Sequence, residues 1–232
     1  MLLTHLHWDH MQGLPFFANG DRDDARVRLL VPAQGDACPS RPGSAAALLA
    51  GCMSPPHFPI SPAGLRGSWT FQALEPGRHR MGGFEVTAAE VPHKGGRTYG
   101  YRIEADGASL AYLPDHLAPT GGAGLELACG VDVLVHGGMF SLAEKDVAER
   151  YGHATVCAAA RLAEAAGVGR LVVVHHAPGR TDAAVAALLA PLSGSTVPVL
   201  VGREGDVVLD SELDAAVGRS LGRLRQVAGG LS

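Results

Sequence analysis

The stretch Thr4-His5-Leu6-His7-Trp8-Asp9-His10-Met11-Gln12-Gly13 decides the reading of this chain. His5, His7, Asp9 and His10 fall within six residues, directly after Met1–Thr4, which reads as the end of a buried strand. In an extended segment, side chains two positions apart share a face, so His5 and His7 can reach one ion. Asp9 and His10, in the turn that follows, can reach a second. Mixed imidazole and carboxylate donors suit Zn²⁺, Mn²⁺ or Fe. A solvated polar loop is the plainer alternative, and three imidazoles at this spacing argue against it.

Other histidines gather in the same way. The chain has eleven, several in short segments, and imidazole is both a common metal ligand and the usual proton carrier near neutral pH. His93 follows Val91-Pro92, Asp115 ends Tyr112-Leu113-Pro114-Asp115, and His175 and His176 follow Leu171–Val174. His153 stands in Gly152-His153-Ala154-Thr155, where Thr155 reads as the N-cap of a helix. Free N–H groups and the macrodipole make such a terminus attractive to phosphate. Taken singly, each has a simpler reading. His93 could be a loop histidine, Asp115 a turn cap, and His153 a structural residue bonded to local backbone. His57, in Ser54-Pro55-Pro56-His57-Phe58-Pro59, either walls the substrate site or packs a loop; His79 and His116 carry weaker signals.

Around these motifs the pattern is mixed. Strands are predicted at Arg26–Val31, Trp69–Leu74, Phe84–Val91, Thr98–Glu104, Ser109–Leu113, Asp132–Val135 and Leu171–Val174. Asp106-Gly107 marks a hairpin turn, and Val197–Val201 with Asp206–Leu209 suggests a last hairpin. Helices are predicted at Ala45–Leu49, Ser141–Arg150, Thr155–Ala166, Thr181–Ala190 and over Glu212–Val227. Pro32–Gly67 is otherwise loop. Hairpins followed by alternating strands and helices indicate two packed sheets with helices outside, in one domain spanning 1–232. Apolar residues at 47% and charged residues at 18% fit a globular chain. The formal charge of −4 gives no electrostatic footprint for nucleic acid or for an anionic membrane surface. There is no apolar run of membrane-spanning length, no signal-peptide pattern and no CxxC pair among Cys38, Cys52, Cys129 and Cys157, so reduced thiols and a cytoplasmic location are expected.

The ordered motifs resemble those of the metallo-β-lactamase superfamily over nearly the whole chain. Tyr99-Gly100-Tyr101-Arg102-Ile103, Tyr112–Asp115 and Gly152–Thr155 look like marks of its phosphodiesterase-like branch, with phosphoribosyl cyclic phosphodiesterases and tRNA 3′-processing endonucleases. The resemblance implies an α+β fold, the αββα sandwich, and two divalent ions, Zn ahead of Mn or Fe. By that resemblance His5, His7 and His93 hold one ion, Asp9, His10 and His175 the other, and Asp115 bridges them. It selects His175 over His176, leaving His176 to face substrate, and gives His153 a phosphoryl contact or proton transfer to the leaving oxygen beside Thr155. Asp9 then has a catalytic part through the metal it holds. One departure is His136-Gly137-Gly138, where the branch usually continues His-Asp-Ala; the bond made by that aspartate is lost or supplied elsewhere.

The function so implied is hydrolysis of a small or cyclic phosphodiester by a hydroxide shared between two metals. A carbon-ester or thioester hydrolase of lactonase or glyoxalase II type, and an inactive scaffold, are the alternatives. Nucleic acid is disfavoured as a partner because no basic arm or lysine-rich insertion is present. The family normally places several strands before its first metal motif, and here the motif begins at His5. An N-terminally truncated fold is therefore expected, with a homodimer as another way to cover the open sheet edge.

Overall fold

The computed structural model describes residues 1–35 and 44–209. In chain order the elements are α1 (Trp8–Met11), β1 (Arg26–Pro32), α2 (Ala45–Ala50), β2 (Ser68–Leu74), β3 (Gly77–Met81), β4 (Phe84–Val91), β5 (Thr98–Ala105) and β6 (Ala108–Leu113). There follow α3 (Ala123–Ala128), β7 (Val133–Gly137), α4 (Lys145–Tyr151), α5 (Val156–Ala166), β8 (Arg170–Val174), α6 (Asp182–Leu189) and β9 (Val199–Val201).

Strands β3 to β9 form one seven-stranded sheet in sequence order. Pairing is antiparallel from β3 to β6 and parallel from β6 to β9. Asp106 and Gly107 both take positive φ, 51° and 80°, as a two-residue β5–β6 hairpin turn demands. Strand β7 is buried at every position, which suits its unbroken apolar reading and its place between parallel neighbours. A second, parallel sheet pairs β1 with β2, and Leu2 makes a single bridge to Leu30.

The two sheets meet through Leu30 and Leu74 on one side and Val86, Ala88, Tyr99 and Tyr101 on the other. The opposite face of the large sheet buries α3 and α5 in the largest core cluster, through Leu127, Leu162 and Ala163 against Leu113, Leu134 and Val173. Helix α5 presents Val156, Ala159, Ala160, Ala163 and Ala166 at helical spacing. Thr155 caps its start by accepting from Ala158 N–H, and Gly167 ends it in the left-handed region.

Several expectations are corrected. Met1–Thr4 makes a bridge in place of a strand, though Tyr99 N–H donates to Thr4 carbonyl at 2.8 Å and Tyr101 hydroxyl to Leu3 carbonyl at 2.6 Å. Those two bonds anchor the segment that delivers His5. The last hairpin does not form: β9 runs parallel to β8, and Asp206 turns back to accept from Arg203 N–H. Ser141–Arg150 divides into a 3-10 turn, closed by a Ser141–Glu144 capping box, and α4. Strand β3, reading Gly-Arg-His-Arg-Met, has no apolar alternation and forms as a charged edge strand on β4. The helix expected over Glu212–Val227 lies outside the described residues.

Candidate metal centre

Strands β4, β6, β7 and β8 run in one direction, so their carboxyl ends share an edge of the large sheet. The segments leaving β4, β6 and β8 carry His93, Asp115 and His175 there. The α4–α5 junction adds His153, and the segment from Thr4 into α1 adds His5, His7, Asp9 and His10. Residues far apart in sequence thus converge.

Asp115 is the centre of the arrangement, at 1% exposure. Its Oδ2 lies 3.6 Å from His5 Nε2 and 3.4 Å from His93 Nε2. Its Oδ1 lies 3.4 Å from His10 Nε2 and 3.3 Å from His175 Nε2. Asp9 Oδ2 closes the second group, 3.4 Å from His10 Nε2 and 3.2 Å from His175 Nε2. His7 joins the first group through Nδ1, 3.3 Å from His93 Nε2. Donor atoms of His5, His7, His93 and Asp115 lie within 4.8 Å of one another, as do those of Asp9, His10 and His175.

Neighbours orient these rings. His93 Nδ1–H donates to Gly152 carbonyl at 2.7 Å and His5 Nδ1 meets Thr4 Oγ1 at 3.1 Å, leaving both Nε2 atoms inward. Gly95, at φ +89°, lets the chain pass His7, where an added Cβ would stand 2.8 Å from Nε2. His175 itself sits at φ 56°, a left-handed conformation uncommon outside glycine that the surrounding structure must hold in place.

Burial sets the charges. It lowers His5 to about 3, with His10 adding to the effect, and lowers His7, with His93 adding. Burial pulls Asp115 upward, yet the close approach of the His10 ring and the charges of His175 and His10 outweigh it and hold the carboxyl below its ordinary range. Asp9 behaves likewise: burial raises it, His10 and His175 outweigh that, and the net is downward. Burial lowers His10, but Asp115 and Asp9 carry it above its ordinary value. A carboxylate-centred cage of imidazoles, with His5 and His7 pushed toward the neutral form, is a donor set suited to a divalent cation.

The fit can be tested on atoms without partners. His5 Nε2, His10 Nε2 and Asp115 Oδ1 are buried and have no hydrogen-bond partner, although buried polar atoms normally find one. All three face the two donor groups, so cations there would satisfy them.

The remaining candidates divide. His153 Nδ1 is 3.8 Å from Asp115 Oδ2, and its ring stacks on His175 at 5.3 Å and meets His93 edge-on at 4.9 Å. Burial lowers it to about 4. It also lines a pocket of about 500 Å³ with Leu117, Lys145 and Arg161. Thr155 is buried, and its hydroxyl oxygen accepts from Ala158 N–H as the α5 cap. His176, half-buried beside His175, meets Gly202 carbonyl through Nε2 at 3.4 Å, beyond the end of β9.

Two features were not foreseen. His136, fully buried, donates Nδ1–H to Gly137 carbonyl at 2.7 Å and meets His116 Nδ1 through Nε2 at 3.0 Å. This pair braces the turn after Asp115, at the place where the branch's His-Asp-Ala would stand. The Gly152 carbonyl that holds His93 is the other, 59 residues away in sequence. The His93-Lys94-Gly95-Gly96 glycines were a usable sign that backbone must pass a ligand closely.

Fold and cage together point to one class of protein, the metallo-β-lactamase fold with a candidate metal site. Residues 1–176 match the family model described as the β-lactamase superfamily domain, and the chain belongs to that family. Over 123 residues it is 32% identical to ribonuclease BN of Escherichia coli O81 (strain ED1a), covering 50% of this chain and 35% of that protein. The crystal structure of human tRNase Z, short form, superposes with a TM-score of 0.60 at 18% identity, over 90% of this chain and 77% of that one. A diphosphatase from the PhnP family gives 0.57 at 16%, over 90% and 70%. The resemblance to the phosphodiesterase and ribonuclease Z-like branch is borne out, as is the metallo-β-lactamase fold.

The expectation that nucleic acid is disfavoured is overturned, because the sequence relative is a named ribonuclease. Net charge was the wrong guide. The value of −4 sums the whole chain, whereas phosphate recognition at a metal cage depends on the local field. Among the described residues no helix is long and apolar enough to cross a membrane.

Proposed function

We propose that this chain hydrolyses phosphodiesters of nucleotides, RNA included, at a two-ion centre. The observation that carries the reading is Asp115, with one carboxylate oxygen against His5 and His93 and the other against His10 and His175. One ion would be held by His5, His7, His93 and Asp115, the other by Asp9, His10, His175 and Asp115. The imidazole-rich donors favour zinc, with manganese or iron as substitutes. Such ions supply Lewis acidity and make water a nucleophile near neutral pH.

The chain's own groups do the rest. Asp9 carries a largely exposed carboxylate to the mouth of the cage and orients His175. His153 is the proton carrier for the leaving oxygen. Its ring is neutral at pH 7, and a bound phosphodiester anion beside it would raise its pKa and let it hold a proton there. The pocket shared by His153 and Arg161 would take the leaving side of the substrate. We place the activity in the cytoplasm, on the absence of paired cysteine motifs.

A panel tests the reading. Metal-loaded protein is offered bis(p-nitrophenyl) phosphate, cyclic nucleotides, a short RNA, lactones and thioesters. Turnover of the diesters is expected. Turnover confined to lactones or thioesters would reject phosphodiester chemistry in favour of carbon-ester hydrolysis.

A further inference from the structure

The turn α1 faces two ways. Asp9 and His10 belong to the cage, while Trp8, Met11 and Gln12 line a separate pocket of about 410 Å³, within the usual range of small-molecule sites. At 100° per residue the two sets point to different sides of one helical turn. The pocket's floor is apolar and built into the core, from Leu14, Leu49 and Met53. Its rim is aromatic: Phe16 meets Phe58 edge-to-face with centroids 6.2 Å apart, and Trp8 stands beside them. Trp8 is 69% exposed and Phe16 75%. Aromatic side chains this large are normally drawn inward, and three of them on one concave rim mark a site that meets a ligand. Gln12 and His57, both exposed, add hydrogen-bonding groups to the pocket wall. Flat apolar walls with polar groups at the edge suit a planar ring that carries donors and acceptors.

We propose that this pocket is a nucleobase subsite, which stacks the base next to the scissile phosphate. The inference rests on the phosphodiesterase reading for the position of that phosphate. Trp8 lies between His7 and Asp9 in the chain, so one short turn supplies both a wall of the pocket and two residues of the cage. A mononucleotide diester and an RNA chain share this chemistry. With RNA, neighbouring phosphates would add to binding and make it fall with salt.

The test has a kinetic arm and a binding arm. In the first, kcat/KM is measured for adenosine 5′-(p-nitrophenyl) phosphate and for methyl p-nitrophenyl phosphate, which has no base. Stacking on an aromatic side chain is typically worth about ten-fold or more in affinity. Phe16→Ala and Phe58→Ala should each lower the adenosine-to-methyl preference by roughly that factor. Phe84→Ala, an exposed phenylalanine at the start of β4, should leave the preference as it is. An unchanged preference in both pocket variants would overturn the inference. A short RNA at two salt concentrations then separates the sources. Strong salt dependence assigns the site to a chain, and weak dependence to a single nucleotide. In the binding arm, AMP is titrated while tryptophan fluorescence is followed. Saturable quenching is expected in the natural protein and should be lost in Trp8→Phe, where Trp69, stacked on Phe71, remains. If neither diester is cleaved, the phosphodiesterase reading fails and the binding arm still decides the subsite. Absence of quenching, or a Phe16→Ala variant that alters only self-association, would overturn it.

Discussion

Replacing Gly152 by alanine perturbs the site through its backbone. Gly152 ends α4 at φ +77° and ψ 25°, immediately before His153. A β-carbon there would stand 2.6 Å from Lys94 N and 3.0 Å from His93 Nδ1, and the nearest atom is backbone that cannot swing aside. The left-handed conformation costs a non-glycine residue roughly 1–2 kcal/mol. Forcing a carbon into packed surroundings adds about 1–3 kcal/mol, so Gly152→Ala should destabilise the metal-free protein by about 2–5 kcal/mol. The same shift strains the 2.7 Å bond from His93 Nδ1–H to Gly152 carbonyl, which aims Nε2 at Asp115. Loss of such a bond typically lowers metal affinity by about 10- to 100-fold. Gly167→Ala is the control. It has φ +63° at the end of α5 with nothing near its added carbon, so only the conformational cost of roughly 1–2 kcal/mol should appear, with zinc affinity unchanged. Urea unfolding of the metal-free proteins and zinc titration against a competing chelator measure both quantities. Equal stability losses in the two variants, or zinc affinity in Gly152→Ala equal to that of the natural protein, would refute the packing argument.

Acid should unfold the metal-free protein early. Burial lowers His136 and His153 to about 4, and His5 and His116 to about 3, from an ordinary 6.5. The unfolded chain therefore takes up protons first as pH falls below 6.5. Stability should be flat above that value and decline down to about pH 4, by on the order of 3 kcal/mol for His136 alone. Urea midpoints that do not move between pH 7 and pH 4.5 would contradict it. His153→Ala should keep its metals and lose roughly 100-fold or more in turnover of alkyl diesters. It should lose far less on p-nitrophenyl diesters, whose leaving group needs little protonation; equal losses would remove the proton-carrier role.

Much of the centre is legible in the residues because its donors are local signals. His5, His7, Asp9 and His10 are read from spacing alone, whereas His93, Asp115 and His175, each just past a strand, take a metal role only through the family resemblance. What escapes is set by contacts distant in sequence. The hold of Gly152 on His93 and the His116–His136 brace appear only once the strand ends are brought together. Thr155 is correctly read as a cap, but a cap hydroxyl bonded to Ala158 N–H is engaged with its own helix. Helix α3 hides behind glycines: Gly124 is required because a β-carbon would stand 2.4 Å from the His116 ring, and that glycine weakens the helical pattern. Strand β3 is specified by pairing with β4, and its own residues carry no alternation.

Metal stoichiometry is the most direct check of the two-ion centre. Protein purified without chelator, loaded with Zn²⁺ and freed of excess, is assayed by elemental analysis alongside Asp9→Ala. Two ions per chain are expected in the natural protein. Near one is expected in the variant, because Asp9 belongs to the group with His10 and His175, while His5, His7, His93 and Asp115 remain together. A natural protein that stays near zero after loading, or that binds one ion with no change on Asp9→Ala, would contradict a centre bridged by Asp115.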